Sequence, residues 1–427
     1  MLVGQAGQVL LQMTDMLMVG RLGPVPLAAA ALAGNFVMFS MYFAYGSLGA
    51  VSPRIAQAFG SGDSDRAAAA ARAGILLAVF VSVIVVFALS LVVPFLGHLG
   101  QPREVVDLTG GYLILLAWSM PGALIALVLG QTAEAVSQPW PVVGFMGGAL
   151  VLNATLNYLL VFGHAGFPAL GLEGAGWATL VARWSQAIAM ALWISRAKTM
   201  RVFRIFSRRI EVPLFRQLFR DGLPVAGQDV LEGGSFAVGS LMMGWVGTTA
   251  LAANQVAISI ASLAWMFPIS LSMATGVRVA QAVGAGNLKA ARRAGIAGIL
   301  LGTGLMACCA VVYICGGRWL AGFFTSDHDV ATLAGVLVTI AGIYQISDAI
   351  QSISLGALRG LVDNRVPLVA NAACYWLLSL PTVYFLTFPA GLGAAGIWLG
   401  YLPWMALTGL FFLWRFLRKT SKIEQAG

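Results

Sequence analysis

Two stretches of the chain repeat each other: RIAQAFGSGDSDRAAAAARAGILL at Arg54–Leu77 and RVAQAVGAGNLKAARRAGIAGILL at Arg278–Leu301. At a constant offset of 224 residues, 13 of the 24 aligned positions are identical. The same offset, without a gap, aligns the sequence around Met18 with that around Met242. The chain is therefore an internal duplication, and its two halves should share one fold.

The composition is that of a membrane protein. Of the 427 residues, 59% are hydrophobic and 10% are charged, whereas roughly a quarter of the residues in soluble domains are charged. Because a membrane-spanning helix uses about 20 apolar residues, the apolar content is enough for about twelve such helices. The four cysteines lie in apolar runs without paired spacing, so we expect neither a disulfide scaffold nor a zinc site. No P-loop sequence occurs, so we expect no nucleotide-driven motor.

Apolar runs separated by proline, glycine and charged residues predict twelve transmembrane helices, six in each half. The predicted ranges are 2–20, 30–53, 69–95, 108–131, 141–163, 172–195, 222–244, 250–277, 294–316, 331–357, 366–388 and 393–416. The longest polar connection, 196–221, separates an N-lobe at 1–195 from a C-lobe at 222–427. We expect an all-α integral membrane protein of two six-helix bundles, related by a pseudo-two-fold axis along the membrane normal. A cleft between such bundles suits alternating access.

The basic residues are distributed unevenly between the two sides of the predicted membrane. Of the 25 Lys and Arg residues, 21 lie in, or within four residues of, the connections that follow even-numbered helices and the C-terminal tail, and three lie in the connections that follow odd-numbered helices. The positive-inside rule then predicts that both termini and the connection 196–221 are cytoplasmic. The formal net charge of +9 reflects this orientation, so we do not expect nucleic-acid binding.

A polar stripe runs along the first predicted helix. Its members, which share an arc of about 80° at 100° per residue, are Gln5, Gln8, Gln12 and Asp15. Because polar groups inside a membrane are unfavourable, the stripe either is satisfied by neighbouring helices or lines a water-accessible cavity. In the second case Asp15 would bind a proton or a cation. Asn153 and Asn157, one turn apart on the fifth helix, could hydrogen-bond Asp15 or a cargo cation, or simply join helices.

Carboxylates also lie near the midpoints of two helices in the second half. The polar face of the seventh helix holds Gln228, Glu232 and Ser235, with Asp229 beside them. The polar face of the tenth helix holds Tyr344, Asp348, Gln351 and Ser352. Their oxygen atoms are hard ligands of the kind that suits Na⁺, and the same carboxylates could take up protons. The residues alone leave the two ions open.

Other intramembrane residues have less specific interpretations. Phe236, Trp265 and Met266 could line a cargo pocket, or pack against lipid and other helices. Arg183, in the sixth predicted helix, is given no role. We expect kinks at the mid-helix prolines, which are Pro121, Pro268 and Pro381.

Several stretches resemble the multidrug and toxic compound extrusion (MATE) family, in its NorM-type bacterial branch. They are QMTDMLMVGRLGPVPLAAAAL from Gln12, RIAQAFGSGD from Arg54 with its repeat, LNATLNYLLVFG from Leu152, GLEGAGWAT from Gly171 and GALRGLVDNRVP from Gly356. The resemblance covers nearly the whole chain in the same order. It implies a secondary antiporter that exports organic cations and amphipathic drugs while Na⁺ or H⁺ enters, without a cofactor.

The resemblance also implies roles for individual residues. Those implied in cation or proton coupling are Asp15, Glu232, Tyr344 and Asp348, with Na⁺ possible at the last three. Those implied in cargo contact or an N-lobe polar pocket are Gln8, Gln12, Asn153, Asn157, Thr179, Phe236, Gln255 and Trp265. Some relatives carry aspartate where Asn157 stands, so a proton switch confined to the N-lobe is less expected here. Because the chain begins inside the first helix, we expect the natural start to lie upstream of Met1.

Two other classes of function fit the residues less well than antiport. A lipid-linked precursor flippase of the same broad superfamily should carry cationic residues in its cleft to meet phosphates, but the intramembrane ionisable residues here are chiefly acidic. An intramembrane enzyme is not expected, because no nucleophile–base pair, carboxylate pair or metal-ligand set has catalytic spacing. The expected partners are small organic cations and the lipid bilayer. The expected form is a monomer in the bacterial cytoplasmic (inner) membrane.

Overall fold

The computed structural model describes Gly7 and residues 13–197, 211–325 and 327–424, and these residues form helices without any strand. The helices are α1 (13–20), α2 (Pro24–Gly60, with a turn at 48–50), α3 (Ser64–Val92), α4 (Arg103–Ala135), α5 (Pro139–Phe162), α6 (Leu172–Arg196), α7 (Val212–Val246), α8 (Thr248–Gly284), α9 (Leu288–Gly322), α10 (His328–Gly360), α11 (Arg365–Thr387) and α12 (Gly393–Glu424). The predicted all-α fold of twelve helices is confirmed.

Nine helices of the described part of the chain are long and apolar enough to cross a membrane. α6 and α7, which are not among the nine, carry intramembrane charge, Arg183 in α6 and Asp229 and Glu232 in α7. The chain is a multi-pass membrane protein.

The chain folds into two compact units that divide between Ala226 and Gly227, inside α7. In the first unit α4 packs against α2, α3 and α6. In the second unit α10 packs against α8, α9 and α12. Each unit is thus built around its own fourth helix, as the duplication predicts.

The expectation that residues 196–221 form a connecting loop needs correction at its C-terminal end. α7 begins at Val212, ten residues before its predicted start at 222. Phe215 and Phe219, one turn apart, both pack edge-on against Phe80 of α3, and Leu218 is fully buried. Because Arg216, Arg220 and Asp221 alternate with these apolar residues, the segment reads as a polar loop although it forms an amphipathic helix. The earlier part of the connection, 198–210, lies outside the described residues.

The repeated sequence builds the same turn twice. Gly62 (φ +76°) and Gly286 (φ +70°) occupy the left-handed region at equivalent positions before α3 and α9, where glycine avoids the strain that a Cβ would cause. Asp63 and Asn287 then cap the two helices, each accepting a hydrogen bond from the main-chain N–H three residues later, at 2.8 and 2.9 Å. The sequence identity between the halves therefore preserves specific turn chemistry.

α11 changes its helical geometry part-way along. Ala373–Ser379 is a π-helical stretch between the α-helical segments Arg365–Ala372 and Leu380–Thr387. Pro381, which follows directly, cannot donate a hydrogen bond to the preceding turn, so a local widening is physically reasonable. The kink expected at Pro381 stays a prediction, whereas the π-helical stretch was not expected, and it changes which side chains of α11 share a face.

Candidate functional site

A hydrogen-bonded cluster surrounds Asp15 in the first unit. Asn157 of α5 donates to Asp15 Oδ1 at 2.6 Å, and Thr179 of α6 donates to Asp15 Oδ2 at 2.8 Å. The Asn157 amide also donates to Asn153 Oδ1 at 3.1 Å, and Asn153 donates to Thr179 Oγ1 at 3.4 Å. All four side chains are buried. The structure therefore brings together the four residues that the sequence assigned to this region.

The pattern of the two helices explains the arrangement. Asn153 and Asn157 are one turn apart on α5 and project on the same face, and α6 packs directly against α5. Neutral donors occupy both carboxylate oxygens, and no lysine, arginine or histidine among the described residues is within 4.0 Å of Asp15. The carbonyl oxygen of Asn157 is buried without a hydrogen-bond partner in the described chain, so the cluster retains a free acceptor.

Two further residues of this cluster were missed from the sequence. Tyr112 of α4 is buried and lies close enough to Asp15 to interact with it electrostatically. Arg183, one turn after Thr179 on α6, interacts electrostatically with Asp15 and donates to Ser119 Oγ of α4 at 2.9 Å. The signal in the sequence was the spacing of four residues between Thr179 and Arg183, which places both on one face of α6. Arg183 is thus a long-range positive charge beside the cluster.

Gln8 and Gln12, the other predicted members of the N-lobe polar pocket, lie outside the described residues, as does Gln5. Within the described part of α1, Asp15 is buried, whereas Met13, Met16 and Leu17 are exposed. The polar side of this helix therefore faces inward at Asp15.

The second unit holds a separate group of carboxylates. Asp348 of α10 is buried and accepts a hydrogen bond from Ser352, one turn away, at 3.1 Å. Glu232 of α7 and Tyr344 of α10 lie close enough to Asp348 for electrostatic interaction, and Tyr344 interacts with both carboxylates. The structure therefore brings together the three residues that were expected to form one cation site.

Tyr375 of α11 completes this group and was not found from the sequence. Its hydroxyl accepts a hydrogen bond from Gln351 of α10 at 3.1 Å, and Tyr375 lies close enough to Glu232 to interact with it electrostatically. Tyr375 is fully buried and lies inside the π-helical stretch. Stretches of this kind are frequent at functional sites because they redirect a side chain. An α-helical period extended along the sequence of α11 gave no signal for Tyr375.

The aromatic residues expected to contact cargo do not all join this group. Phe236 packs against Tyr375 and Tyr401, with ring centroids 5.8 and 5.2 Å apart, and it is 36% exposed. Gln255 and Trp265 of α8 are exposed, and no side-chain contact is recorded between them and Glu232 or Asp348. Among the predicted cargo residues of this unit, Phe236 alone contacts Tyr375 within the described chain.

A charged pair lies one turn from Glu232 along α7. Arg359 at the end of α10 donates to Asp229 Oδ1 at 3.0 Å and to Gln228 Oε1 at 3.2 Å. Gln228, which is fully buried, donates in turn to the main-chain oxygen of Asn364 at 2.8 Å. Asp229 therefore has a fixed counter-ion, unlike Glu232 and Asp348, which have no basic residue within 4.0 Å in the described chain.

The connection between α10 and α11 is tied to α12 by a second ion pair. Arg415 bonds both oxygens of Asp363 at 2.6 and 3.2 Å, and Lys419 lies 2.9 Å from Oδ2. Burial alone would raise the pKa of Asp363, but the hydrogen bonds from Arg415 and Lys419 hold it below its ordinary value. Asp363 therefore stays ionised and anchors the loop.

Neither group resembles a site for a tightly bound transition metal. The described residues contain no set of three or more His, Cys, Asp or Glu side chains that could hold a metal ion. Two carboxylates and two phenols offer a cation only oxygen ligands, and such a set suits a proton or a hard, weakly held cation.

Residues 1–159 and 224–385 match the MatE family model. The chain belongs to the MatE family. It is 34% identical over 430 residues to a Rhizobium meliloti protein named "Probable multidrug resistance protein NorM", covering 99% of this chain and 92% of that protein. It is also 34% identical over 430 residues to "Multidrug resistance protein NorM" of Burkholderia vietnamiensis, covering 99% of this chain and 93% of that protein.

This MATE protein, like the family to which it belongs, is a transporter and not an enzyme. Its fold agrees with that of solved relatives. The eukaryotic MATE transporter AtDTX14 superposes with a TM-score of 0.88 over all of this chain and 96% of that chain, at 22% sequence identity. The resemblance stated from the motifs is therefore confirmed for family and fold.

Proposed function

We propose that this MATE transporter exports cationic and amphipathic drugs and other toxic organic compounds in exchange for Na⁺ or H⁺. One observation carries the proposal: Glu232 and Asp348 lie together inside the membrane-spanning part of the second unit without a basic residue within 4.0 Å in the described chain. Two carboxylates in such a place are strongly unfavourable unless a cation or protons neutralise them. A transported ion would supply that charge.

The arrangement suggests a chemical division between the two units. In the second unit Glu232, Asp348 and Tyr344 would bind the coupling ion through oxygen atoms, as Na⁺ or as protons on the carboxylates. In the first unit Asp15 already has neutral donors at both oxygens, from Asn157 and Thr179. Asp15 would therefore serve a proton or cargo step, with its partners keeping it in one geometry.

Cargo contacts would follow from the same groups. Phe236 is partly exposed and packs against Tyr375, which lies close enough to Glu232 to interact with it electrostatically. An organic cation that approaches Phe236 would gain cation–π attraction and would compete electrostatically with the coupling ion for Glu232 and Asp348. Such competition is what antiport requires. Gln255 and Trp265 would contribute to cargo contact from α8, apart from the carboxylates.

We further propose that the transporter is a monomer in the bacterial inner membrane with both termini in the cytoplasm. Its lobes at 1–195 and 222–427 would alternate access around the cargo, joined by 196–221. The names of the relatives, multidrug resistance proteins, support the class of cargo. The distribution of 21 against three basic residues supports the orientation.

The test is efflux of a fluorescent organic cation from proteoliposomes under Na⁺ and H⁺ gradients imposed separately. We expect uphill efflux with at least one of the two gradients and none with ATP alone. Empty liposomes and a Glu232→Gln/Asp348→Asn double variant are the controls. Uphill efflux driven by ATP in the absence of any ion gradient would contradict the proposal.

A further inference from the structure

Arg359 places a positive charge at the edge of the carboxylate group of the second unit. It is the last residue but one of α10, and its Nη2 donates to Gln228 Oε1 at 3.2 Å and to Asp229 Oδ1 at 3.0 Å. One guanidinium nitrogen therefore joins two adjacent residues of α7. The Nε of Arg359 is buried and makes no hydrogen bond within the described chain, so the guanidinium keeps an unused donor.

Helical geometry places Glu232 beside this guanidinium. At 100° per residue, Glu232 points about 40° from Gln228 and about 60° from Asp229, so it lies between them in direction and one turn further along α7. Because side chains of an α-helix tilt towards its N-terminus, Glu232 leans towards the pair. Glu232 interacts electrostatically with both Asp229 and Arg359. Arg359 is thus within electrostatic reach of Glu232, although residues one turn away hold it.

An arginine beside two carboxylates can pair with either of them. Guanidinium–carboxylate pairs are frequently bidentate, with two parallel N–H···O bonds, whereas Arg359 bonds one oxygen of Asp229 through one nitrogen. Its unused Nε would allow a bidentate pair with Glu232 if the guanidinium moved towards it. Glu232 has no basic residue within 4.0 Å in the described chain. Asp229 therefore holds Arg359 in competition with Glu232.

This competition decides the charge of the carboxylate group. While Arg359 stays on Asp229 that pair is neutral, and Glu232 and Asp348 are left to attract a cation. If Arg359 bonded Glu232, the guanidinium would compensate the charge that a bound ion needs and would repel the ion. A buried ion pair is also difficult to open, because the opening leaves a buried charge without a partner. A cation site with Arg359 on Glu232 would be blocked.

The two α7 residues that hold Arg359 have different tasks. Gln228 is fully buried, and its amide donates to the main-chain oxygen of Asn364 at 2.8 Å, which fixes its carbonyl oxygen towards Arg359. This oxygen is neutral, so it orients the guanidinium without compensating its charge. Compensation comes from Asp229. The charge of Asp229 is therefore what Glu232 would have to replace.

We propose that Asp229 is a positioning residue for the cation site: it keeps the Arg359 guanidinium away from Glu232 and so leaves Glu232 able to bind the coupling ion. The role of Glu232 in this inference rests on the proposed function. Asp229 does not bind the ion itself, because Arg359 compensates its charge. Removal of the Asp229 charge lets Arg359 pair with Glu232, and the site is blocked although none of its own residues has changed.

Carbodiimide labelling of the purified protein in Na⁺-free detergent solution reports the state of Glu232. Dicyclohexylcarbodiimide adds to protonated carboxyl groups, whereas a carboxylate paired with a guanidinium stays ionised and unreactive. We expect Glu232 of the parent to react and Asp229→Asn to slow this reaction at least about tenfold, as for a close charge pair. The Asp229→Asn/Arg359→Gln double variant should recover the parent rate. An unreactive parent, or equal rates in the parent and Asp229→Asn, would overturn the proposal.

Two control variants separate pairing from a general change of charge. Asp229→Glu keeps a carboxylate for Arg359 and should restore the parent labelling rate. Asp363→Asn also removes a negative charge beside the end of α10, but it releases Arg415 and Lys419 and leaves Arg359 on Asp229. It should retain the parent rate. Labelling as slow in Asp363→Asn as in Asp229→Asn would overturn the proposal.

The position of the guanidinium can also be observed directly. In a crystal structure of Asp229→Asn we expect Arg359 within salt-bridge distance of Glu232, about 4 Å. A guanidinium that stays on Gln228 would contradict the proposal. Failure of Asp229→Asn to fold would do the same, since loss of one partner of a buried pair is strongly destabilising only if no other carboxylate replaces it.

Efflux measurements connect the pairing with transport. Ion-driven efflux should fall about tenfold in Asp229→Asn and recover in the Asp229→Asn/Arg359→Gln double variant, in parallel with the labelling. Full efflux by Asp229→Asn despite slow labelling would overturn the role of Asp229 in transport. If the labelling follows the expected order but neither gradient drives efflux by the parent, the pairing of Arg359 stands and the proposed antiport fails.

Discussion

Asn157 donates a 2.6 Å hydrogen bond to Asp15, joining α5 to α1 across 142 residues of sequence. With Thr179 on the second oxygen, this bond leaves the carboxylate buried but fully satisfied by neutral groups. Asp348 of the second unit is different, because its Oδ2 has no partner in the described chain. The two units therefore present chemically distinct carboxylates, and the predictions below separate their roles.

Asp15→Asn should impair drug efflux while changing Na⁺ affinity less than changes at Glu232 or Asp348. The amide removes the charge but keeps much of the shape, so the contacts with Asn157 and Thr179 rearrange without a cavity. Drug efflux and equilibrium Na⁺ binding on the purified variant provide the two measurements. A loss of Na⁺ affinity larger than that of Asp348→Asn would move the cation site to the first unit.

Glu232→Gln or Asp348→Asn should weaken ion binding severely, by about 100-fold, equivalent to about 2.7 kcal/mol. Each change removes one of two charges that would hold the ion. Membrane insertion should be kept or improved, because a buried carboxylate opposes insertion. Expression level and size-exclusion profile report insertion, and binding and efflux report function. Wild-type Na⁺ binding and efflux by Asp348→Asn would exclude this site, whereas a parent without Na⁺ binding would assign the carboxylates to protons.

Tyr375→Phe should reduce ion-coupled efflux about tenfold, equivalent to about 1.4 kcal/mol. The change deletes the hydroxyl that accepts a hydrogen bond from Gln351 beside Glu232 and leaves the ring contact with Phe236. Tyr313→Phe, at a buried tyrosine whose hydroxyl bonds only a main-chain oxygen in the recorded contacts, is the matched control for stability. Equal efflux by both variants would show that Tyr375 acts only in packing.

The topology predicts opposite labelling of two exposed loop residues. In a background with the four cysteines replaced, Gln101→Cys between α3 and α4 should react with an impermeant maleimide in intact cells. Ser61→Cys, between α2 and α3, should react only after the cells are permeabilised. The reason is the excess of basic residues on the side of Ser61. The reverse pattern would invert the orientation.

Asp363→Asn should lower thermal stability in detergent at neutral pH by about 1.5–3 kcal/mol, the range for hydrogen bonds to charged groups. It removes the carboxylate that Arg415 and Lys419 hold between the α10–α11 connection and α12. Since the folded-state pKa of Asp363 is lowered, its stabilising contribution is complete above about pH 4 and is lost as the pH falls through the folded pKa. The difference between parent and variant should therefore shrink in acid; a difference that stays constant with pH would assign it to packing.

The sequence by itself determined much of this protein. Apolar runs of sufficient length predicted the helices, because each run satisfies its own backbone in lipid. The repeat at Arg54 and Arg278 predicted two related halves, and the spacing of Asn153 with Asn157 and of Tyr344 with Asp348 placed each pair on one helical face. These are local properties, since a periodicity of 3.6 residues acts within a single helix.

Tertiary structure decided which faces meet. The contact of Tyr375 with Gln351, the reach of Arg183 towards Asp15 and the early start of α7 at Val212 all depend on how helices distant in sequence rotate and pack. In α11 the π-helical stretch also shifts the phase of the side chains, so that extrapolation of an α-helical period fails at Tyr375. Membrane helices gain little from burying apolar surface against each other, and their pairing follows close packing and a few hydrogen bonds. Which helices pair therefore depends on contacts between residues of different helices, and the sequence of one helix alone does not determine it.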